Sequence, residues 1–284
     1  MSAHALQSDP EREGDPLASI RARGLVSFSA GEFQGVTRRV NVREEGALRV
    51  RFPREQTGRL DAVLVNVAGG MAGGDYYKVE IEAQPRAHIV FTSTAAEKVY
   101  RALGAATRCD VRLTLGEDAR MAFLPQETIM FDCARLRRSI EIDMAPGARL
   151  ALCDLVILGR AAMGENVHTL DWADQWRLRR EGTLIWADAA RLQGDATQML
   201  APKATGDGAR AFGTLIYAAP HAETCLEPLR ESLNRADNCQ AAATAFDGLL
   251  VVRFIAQDGQ GARRAIEQAL RVLPDASPPR SWAT

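Results

Sequence analysis

Residues 79–91 have the sequence VEIEAQPRAHIVF, which has the pattern of an alternating strand, a turn and a second strand. Val79 and Ile81 alternate with glutamates, which predicts a strand with one buried face. The proline that follows predicts a turn, after which the chain resumes as an apolar strand. The same outline returns in residues 111–123, VRLTLGEDARMAF, and in residues 140–152, IEIDMAPGARLAL. The first part of the chain is therefore predicted to be mainly β.

The spacing of these copies indicates how they are arranged. Each copy resumes at an alanine eight residues after its first strand residue, and these alanines, Ala87, Ala119 and Ala148, lie 32 and 29 residues apart. Periods of about 20 to 50 residues are typical of stacked units that bury their open faces against one another. The sequence thus predicts a solenoid-like stack of antiparallel or mixed strands, with a β-sandwich of similar hairpins as the alternative. Gly46 and Gly182 are predicted to lie at hairpin tips.

The two ends of the chain differ from the repeated part. Residues 1–17 are polar, contain proline and have no periodicity, so they are predicted to form a disordered N-terminal arm. Residues 18–284 are predicted to form a single β-rich domain. Within it, apolar residues at helical spacing predict two helices, near 222–235 and 260–273.

Composition excludes several classes of protein. The 284 residues are 46% apolar and 25% charged, which is typical of a globular domain. The 35 basic and 36 acidic residues leave no positive excess for nucleic acid. No apolar run approaches the roughly 18 residues that a membrane span needs. The five cysteines form no CxxC pair and the N-terminal residues do not resemble a secretory signal, so a cytoplasmic protein with reduced thiols is predicted.

Residues 69–75, GGMAGGD, invite interpretation as a phosphate-binding loop, but the context is wrong. Such a loop needs a Lys-Ser/Thr pair opening a helix, whereas Asp75 precedes a strand and would place negative charge beside a phosphate. We therefore predict no nucleotide and a tight turn in which Asp75 accepts backbone N–H bonds. None of the four histidines lies in a sequence context typical of a catalytic triad, so no catalytic residue is assigned.

Carboxylates within apolar strands are the more informative polar residues. Such a group must be paired, hydrogen-bonded, metal-bound or hydrated. For any single residue, pairing with a nearby arginine such as Arg138 or Arg160 is the expectation, but several together also fit a polar passage. The residues in question are Glu127, Asp132, Asp154 and Glu165.

Five segments give a family resemblance. They occupy residues 64–75, 92–101, 124–131, 158–165 and 279–282. In content and order they resemble the urease accessory protein UreD family, also called UreH. The resemblance spans nearly the whole chain outside the predicted arm, and it implies a mainly β, helix-poor stacked fold.

The resemblance also implies a function. Members of this family are non-catalytic scaffolds that bind apo-urease and, with UreF and the GTPase UreG, deliver nickel to the urease active site through a water-filled internal passage. Asp75 and Asp154 occupy acidic positions of the family motifs, Glu97 and Glu165 lie within two of the matching segments, and Asp188 falls at or next to a further acidic position. These five residues are the candidate ligands for nickel in transit.

Spaced carboxylates suit such a task, since nickel accepts oxygen ligands and successive shallow sites do not trap the ion. Two alternatives stay open. One is an interaction protein that only clamps apo-urease for its partners, and the other is a stacked-β enzyme with paired carboxylates acting on a polysaccharide. The apolar helices and Trp282 are candidates for docking UreF, although amphipathic helices usually cover their own core.

Overall fold

The computed structural model describes residues 21–54, 58–234 and 238–282. Its strands are β1 (Arg23–Phe33), β2 (Val36–Gly46), β3 (Leu48–Arg51), β4 (Leu60–Asn66), β5 (Tyr76–Ala83), β6 (His88–Ser93), β7 (Glu97–Val99), β8 (Thr107–Leu115), β9 (Arg120–Phe123), β10 (Thr128–Met130), β11 (Ala134–Met144), β12 (Arg149–Leu158), β13 (Leu170–Arg180), β14 (Thr183–Gly194), β15 (Ala211–Ala218), β16 (Cys239–Phe246) and β17 (Leu249–Ala256). Its α-helices are α1 (Ala196–Leu200), α2 (Leu226–Leu233) and α3 (Gly259–Val272). The predicted disordered arm, residues 1–17, lies outside the described residues.

The three repeated segments form three neighbouring coils of a stack. Val79 on β5 pairs with Val111 on β8, which pairs with Ile140 on β11, and all three strands are parallel. The second strands β6, β9 and β12 are likewise parallel neighbours. The 32- and 29-residue spacing therefore marks residues that lie side by side in the sheet, and the predicted solenoid-like stack is confirmed over the sandwich alternative.

The turns between these strand pairs explain why each copy resumes at an alanine. The residues just before the alanines, Arg86, Asp118 and Gly147, all have left-handed backbone, with φ of 62°, 54° and 69°. The alanine N–H then closes each turn on the residue three positions earlier. The alanines are 0 to 4% exposed, so only a small side chain fits there.

The coils enclose the main core between two sheets. The front sheet has the order β14-β13-β11-β8-β5-β1-β2, and the back sheet has the order β16-β17-β15-β12-β9-β6-β4-β3, with β7 and β10 attached to β12. Alternate residues of facing strands point inward, and Phe91 stacks on Phe123 with ring centroids 4.8 Å apart. Each fully buried aliphatic or aromatic side chain contributes about 1.5–3 kcal/mol, so this interior dominates stability.

Of the two predicted hairpin tips, one is correct. Gly182, with φ of 77°, lies in the turn between the antiparallel strands β13 and β14. Gly46 is not a hairpin tip, because β2 belongs to the front sheet and β3 to the back sheet. Its φ of 58° lets the chain cross between sheets, and a Cβ there would lie 1.8 Å from the carbonyl oxygen of Arg23.

The C-terminal helices form a third layer on the outer face of the back sheet. Leu229 of α2 and Ile266 and Leu270 of α3 are buried against that face. Asp258 caps α3 by accepting the Gly261 N–H at 2.6 Å. Trp282 is only 7% exposed, so the apolar residues considered for docking are used to cover the chain's own core. In the described part of the chain, no helix combines the length and apolar character needed to cross a membrane.

Candidate functional site

A row of polar side chains crosses the front sheet inside the otherwise apolar core. Strand register aligns Tyr77 with Cys109, Cys109 with Arg138, and Arg138 with Asp174. These four residues, here called the polar row, lie between two rows of mainly apolar side chains, including the one that starts at Val79. Because strands alternate their faces, the parallel in-register coils repeat this polar position from β5 to β13.

The back sheet faces the polar row with polar groups of its own. Glu97 on β7 pairs with Thr128 on β10, and Asp154 on β12 pairs with Thr214 on β15. Thr128, Asp154 and Thr214 are buried, with exposures of 6 to 8%. The polar row and these facing groups together form a polar layer between the two sheets.

Arg138 and two aspartates form the most strongly charged part of this layer, here called the Arg138 cluster. The guanidinium donates to both carboxylate oxygens of Asp154, with Nη1 to Oδ1 at 2.8 Å, and also bonds Asp174 through Nε at 3.2 Å and Nη2 at 2.5 Å. Burial alone would lower the pKa of Arg138, but the two carboxylates hold it well above its ordinary value. Burial raises the pKa of Asp154, and the charge of Asp174 adds to this effect while Arg138 opposes it. Two carboxylates share one guanidinium, so the cluster has a net charge of −1 when all three groups are ionised.

A cavity of about 40 Å³ adjoins the Arg138 cluster. Its lining includes Asp154, Asp174 and Asp188, so the structure brings two of the predicted residues together with a third acid. Asp188 is half-buried and pairs with Arg253 at 2.7 Å, at the side where β14 approaches β17. Trp172 also lines the cavity, and its buried indole N–H has no hydrogen-bond partner among the described residues. A cavity of this size and polarity accommodates ordered water.

Glu97 lies at the other end of the polar layer, in what we call the Glu97 cluster: Asn66, Asp75, Tyr77 and Glu97. Asn66 Nδ2 donates to Glu97 Oε2 at 3.0 Å and to the Gly70 carbonyl at 3.1 Å. Tyr77 Oη reaches both that carbonyl and Asp75 Oδ2 at 3.2 Å. Burial raises the pKa of Glu97, although the Asn66 hydrogen bond and the Lys98 charge oppose the effect. Among the described residues, Glu97 makes no ion pair.

Asp75 is held by backbone groups, as the tight-turn interpretation predicts. Its carboxylate accepts the Ala22 N–H at 2.8 Å and the Ala72 N–H at 2.7 Å, and its side chain is buried. Gly70 shows why this loop needs a glycine. A Cβ at this position would lie 2.8 Å from the Lys98 carbonyl oxygen and 2.5 Å from the Tyr100 ring. The loop thus joins the start of β1 to the Glu97 cluster.

The structure places Glu165 away from the polar layer. It follows a short 3₁₀ turn after β12, where it accepts hydrogen bonds from Arg160 Nε at 2.7 Å and from the backbone N–H of Arg160 and Asp132. The Arg160 bond is the main reason why the pKa of Glu165 lies below its ordinary value. Glu165 therefore stabilises a surface connection.

Two members of the Arg138 cluster were not among the predicted site residues, although both have a sequence signal. Asp174 stands two positions from Trp172 and from Trp176, and Arg138 stands two positions from Leu136 and from Ile140. The period of two places each charge on the same buried face as its apolar neighbours. Charges at inward positions of alternating strands therefore identify this cluster.

The structure limits the kind of metal binding these residues can offer. Within the described residues, no group of three or more His, Cys, Asp or Glu side chains is arranged to hold a metal ion. All five cysteines are free thiols, and burial raises the pKa of Cys109 to about 12. A neutral thiol at that position is a poor ligand at neutral pH. The arrangement fits single carboxylates with water and does not fit a closed cage.

Comparison with known proteins adds independent findings. A family model described as UreD urease accessory protein matches residues 22–283. A protein of Xanthobacter autotrophicus named Urease accessory protein UreD is 45% identical over 291 residues, covering 100% of this chain and 99% of its own length. A Bradyrhizobium protein named Urease accessory protein UreD 3 is 42% identical over 278 residues, covering 98% and 99%. A Rhodopseudomonas palustris protein named Urease accessory protein UreD is 43% identical over 266 residues, covering 94% and 95%.

Proposed function

The chain belongs to the UreD family of urease accessory proteins, and from this premise we propose that it is a non-catalytic scaffold of urease maturation. In this proposal it binds apo-urease together with UreF and, through UreF, UreG, and helps deliver nickel to the urease active site in the cytoplasm. Nickel is the cargo, and no nucleotide binds this chain.

The polar layer is the observation that supports a passage for the ion. Buried polar groups cost free energy unless they are fully bonded, so a line of Tyr77, Cys109, Arg138 and Asp174 through an otherwise apolar interior calls for an explanation. Glu97 at one end has no cationic partner among the described residues, and Asp154, Asp174 and Asp188 line a cavity at the other end. Carboxylates at both ends of a polar interior favour entry and exit of a divalent cation.

The weakness of each site also fits delivery. A carboxylate with one or two water ligands binds nickel far less tightly than a cage of thiolates and imidazoles, so the ion can be passed on. The net charge of −1 at the Arg138 cluster attracts a cation, while the guanidinium keeps either aspartate from binding it tightly. The carboxylate of Asp75 accepts hydrogen bonds from two backbone N–H groups and lies within reach of the Tyr77 hydroxyl, so in this proposal Asp75 acts by positioning Tyr77.

One specific observation favours the second candidate, a clamp that conducts no metal. Asp154, Asp188 and Glu165 are all paired with arginines, and the cavity of about 40 Å³ extends along only part of the polar layer. In this alternative the charged interior only fixes the packing of the two sheets, and the chain acts through its surface.

The two candidates are separated by a matched pair of variants in cells that express the chain with UreF, UreG and the urease subunits. Glu97→Gln removes the acid at the end of the polar layer, and Glu165→Gln removes a similar acid outside it. Under limiting nickel we expect Glu97→Gln to lower urease activation several-fold with unchanged co-purification, and Glu165→Gln to leave both unchanged.

Other results are equally decisive. If Glu97→Gln leaves urease activation unchanged, the passage hypothesis is wrong and the clamp hypothesis stands. If UreF, UreG and the urease subunits do not co-purify with the unmodified chain, the assembly role itself is wrong. Replacing Asp75 or Asp154 by Asn serves as a second test, because both variants are expected to reduce activation; a thermal melt then reports whether the fold was kept.

A further inference from the structure

The two edges of the coil stack differ sharply. At one edge, tight turns such as residues 84–87 and 116–119 carry the chain from the front sheet to the back sheet. At the other edge, four segments return from the back sheet to the front sheet, and all but residues 131–133 are longer than these turns. These segments, here called the connection edge, are residues 67–75, 100–106, 131–133 and 159–169.

The connection edge exposes large apolar side chains. Within the described residues, the three most exposed of this type are Leu103 at 80%, Met163 at 73% and Val67 at 61%, and all three lie on this edge. Their connections lead into β8, β13 and β5, which with β11 are successive neighbours in the front sheet. Three steps of about 4.8 Å separate the outermost of these strands, so the three connections meet the front sheet within roughly 15 Å of one another along the stack. A single exposed apolar residue is ordinary, but such a cluster marks an interaction surface.

The charges at this edge have one sign. In the connection edge and the adjoining residues 94–99 and 134–135, the exposed charged side chains are Lys98, Arg101, Arg135 and Arg160. Apart from the buried Asp75, the acids of the same segments are only partly exposed and already engaged: Glu97 with Asn66, Asp132 with the N–H groups of His168 and Thr169, and Glu165 with Arg160. The tight-turn edge differs, since Arg86 is exposed there together with Glu117 and Asp118.

The connection edge is also held in place before any partner arrives. Backbone bonds tie neighbouring connections together, from Ala102 N–H to the Cys133 carbonyl at 2.9 Å and from Cys133 N–H to the Thr169 carbonyl at 2.7 Å. The Arg160 guanidinium lies 4.4 Å from the centre of the Phe131 ring. A surface that is already ordered loses little conformational entropy when it binds.

From these observations we propose that the connection edge docks a protein of the urease assembly that presents carboxylates around apolar pockets. Leu103 and Met163 fill the pockets, and Arg101 and its neighbours pair with the carboxylates. This inference rests on the proposed assembly role and adds to it the surface and the chemistry of the partner. Since Glu97 adjoins this edge, the partner's carboxylates also offset basic charge that would repel a cation at that end of the polar layer.

The test uses the full chain, tagged and expressed with UreF, UreG and the urease subunits. Leu103→Asp and Arg101→Glu change the connection edge, while Leu184→Asp and Arg38→Glu make matched changes at exposed positions elsewhere. We expect each edge variant to reduce the UreF or urease subunit retained on the tag by about tenfold, as for a hot-spot residue, and the controls to retain it fully. Retention by the unmodified chain should also fall as salt rises, and less steeply in Arg101→Glu.

Several results would overturn the proposal. If the edge variants retain their partners as the unmodified chain does, or if the controls lose them equally, the docking surface is wrong while the assembly role stands. If the edge variants change only self-association in sedimentation, the occupant is a second copy of this chain. If the unmodified chain retains none of these proteins, the docking surface and the proposed function both fail.

Discussion

The Arg138 cluster and the Glu97 cluster lie in the same interior but give their buried carboxylates different partners. In the Arg138 cluster, Asp154 and Asp174 are bonded to a guanidinium at exposures of 5 to 6%. In the Glu97 cluster, the carboxylate meets an amide and stays without an ion pair in the described part of the chain. Burial raises the pKa of both Asp154 and Glu97, but a bonded guanidinium opposes the effect at Asp154, whereas the Glu97 carboxylate is bonded by an amide.

The contrast between the two clusters separates a role in stability from a role in the proposed nickel transfer. A bidentate ion pair with low exposure is costly to break, so the Arg138 cluster holds β11, β12 and β13 together across the two sheets. A buried carboxylate without a cationic partner keeps an uncompensated negative charge, and a divalent ion would compensate it. We therefore expect stability to depend on the first cluster and nickel transfer to depend on the second.

The largest effect is expected for Arg138→Met, which keeps much of the side-chain volume and removes the guanidinium. Two buried carboxylates are then left without a cation, and the free energy of unfolding at pH 7 should fall by about 3–5 kcal/mol. The carboxyls of this variant should have raised pKa values in the folded state, so the loss should become smaller as pH falls and they take up protons. Urea unfolding at pH 7 and pH 5 measures both quantities.

Arg253→Met is the matched control for this prediction. Arg253 also pairs with an aspartate of the cavity, but its side chain is 49% exposed, so its loss should cost no more than about 1 kcal/mol. Equal effects of the two substitutions would mean that burial does not set the strength of the Arg138 cluster.

Glu97→Gln should have a smaller effect of the opposite sign. Because burial raises the pKa of Glu97, the folded state holds its proton more tightly than the unfolded state, and stability falls as pH rises from about 4.5 through the folded pKa. Gln removes this dependence and should stabilise the chain at pH 7 by on the order of 1 kcal/mol, with no gain at pH 4. Thermal melts across this range measure it. A variant that is less stable at every pH would show that the ionised carboxylate makes a favourable contact, and the contrast between the two clusters would be lost.

Much of the fold follows from the sequence for a simple physical reason. Alternation with a period of two fixes which residues face inward, and turns of the same chemistry at Ala87, Ala119 and Ala148 force successive coils into one register. The crossing at Gly46 was not predicted, because a glycine with left-handed backbone serves equally in a hairpin and in a crossing between sheets. Only the long-range pairing of β3 with β4 decides between them.

The site was less accessible to sequence reasoning. The expectation that a single acid pairs with an arginine is confirmed for Asp154 with Arg138 and for Glu165 with Arg160. Alternation does not show that Arg138 and Asp174 of the opposite sheet meet Asp154 in one cluster, because it says nothing about which residues meet across an interior. Glu165 follows Gly164 and lies in a surface connection. Sequence spacing identifies acids that need an explanation, and only the packing of the two sheets shows which explanation each receives.

The smallest effect is expected for Glu165→Gln, which tests whether pairing with arginine is stabilising by itself or only when buried. Glu165 bonds Arg160, whose side chain is 47% exposed, so water competes with the pair and its loss should lower Tm by only about 1–2 °C. Because the Arg160 bond lowers the pKa of Glu165, the contribution of the pair to stability is full above the ordinary glutamate pKa of 4.5 and is lost as pH falls through the folded value. Thermal melts from pH 7 to pH 3 should therefore show a constant small difference that vanishes in acid. A Tm loss as large as that of Arg138→Met would mean that the connection after β12, and with it the surface around Met163, depends on this pair more than its exposure allows.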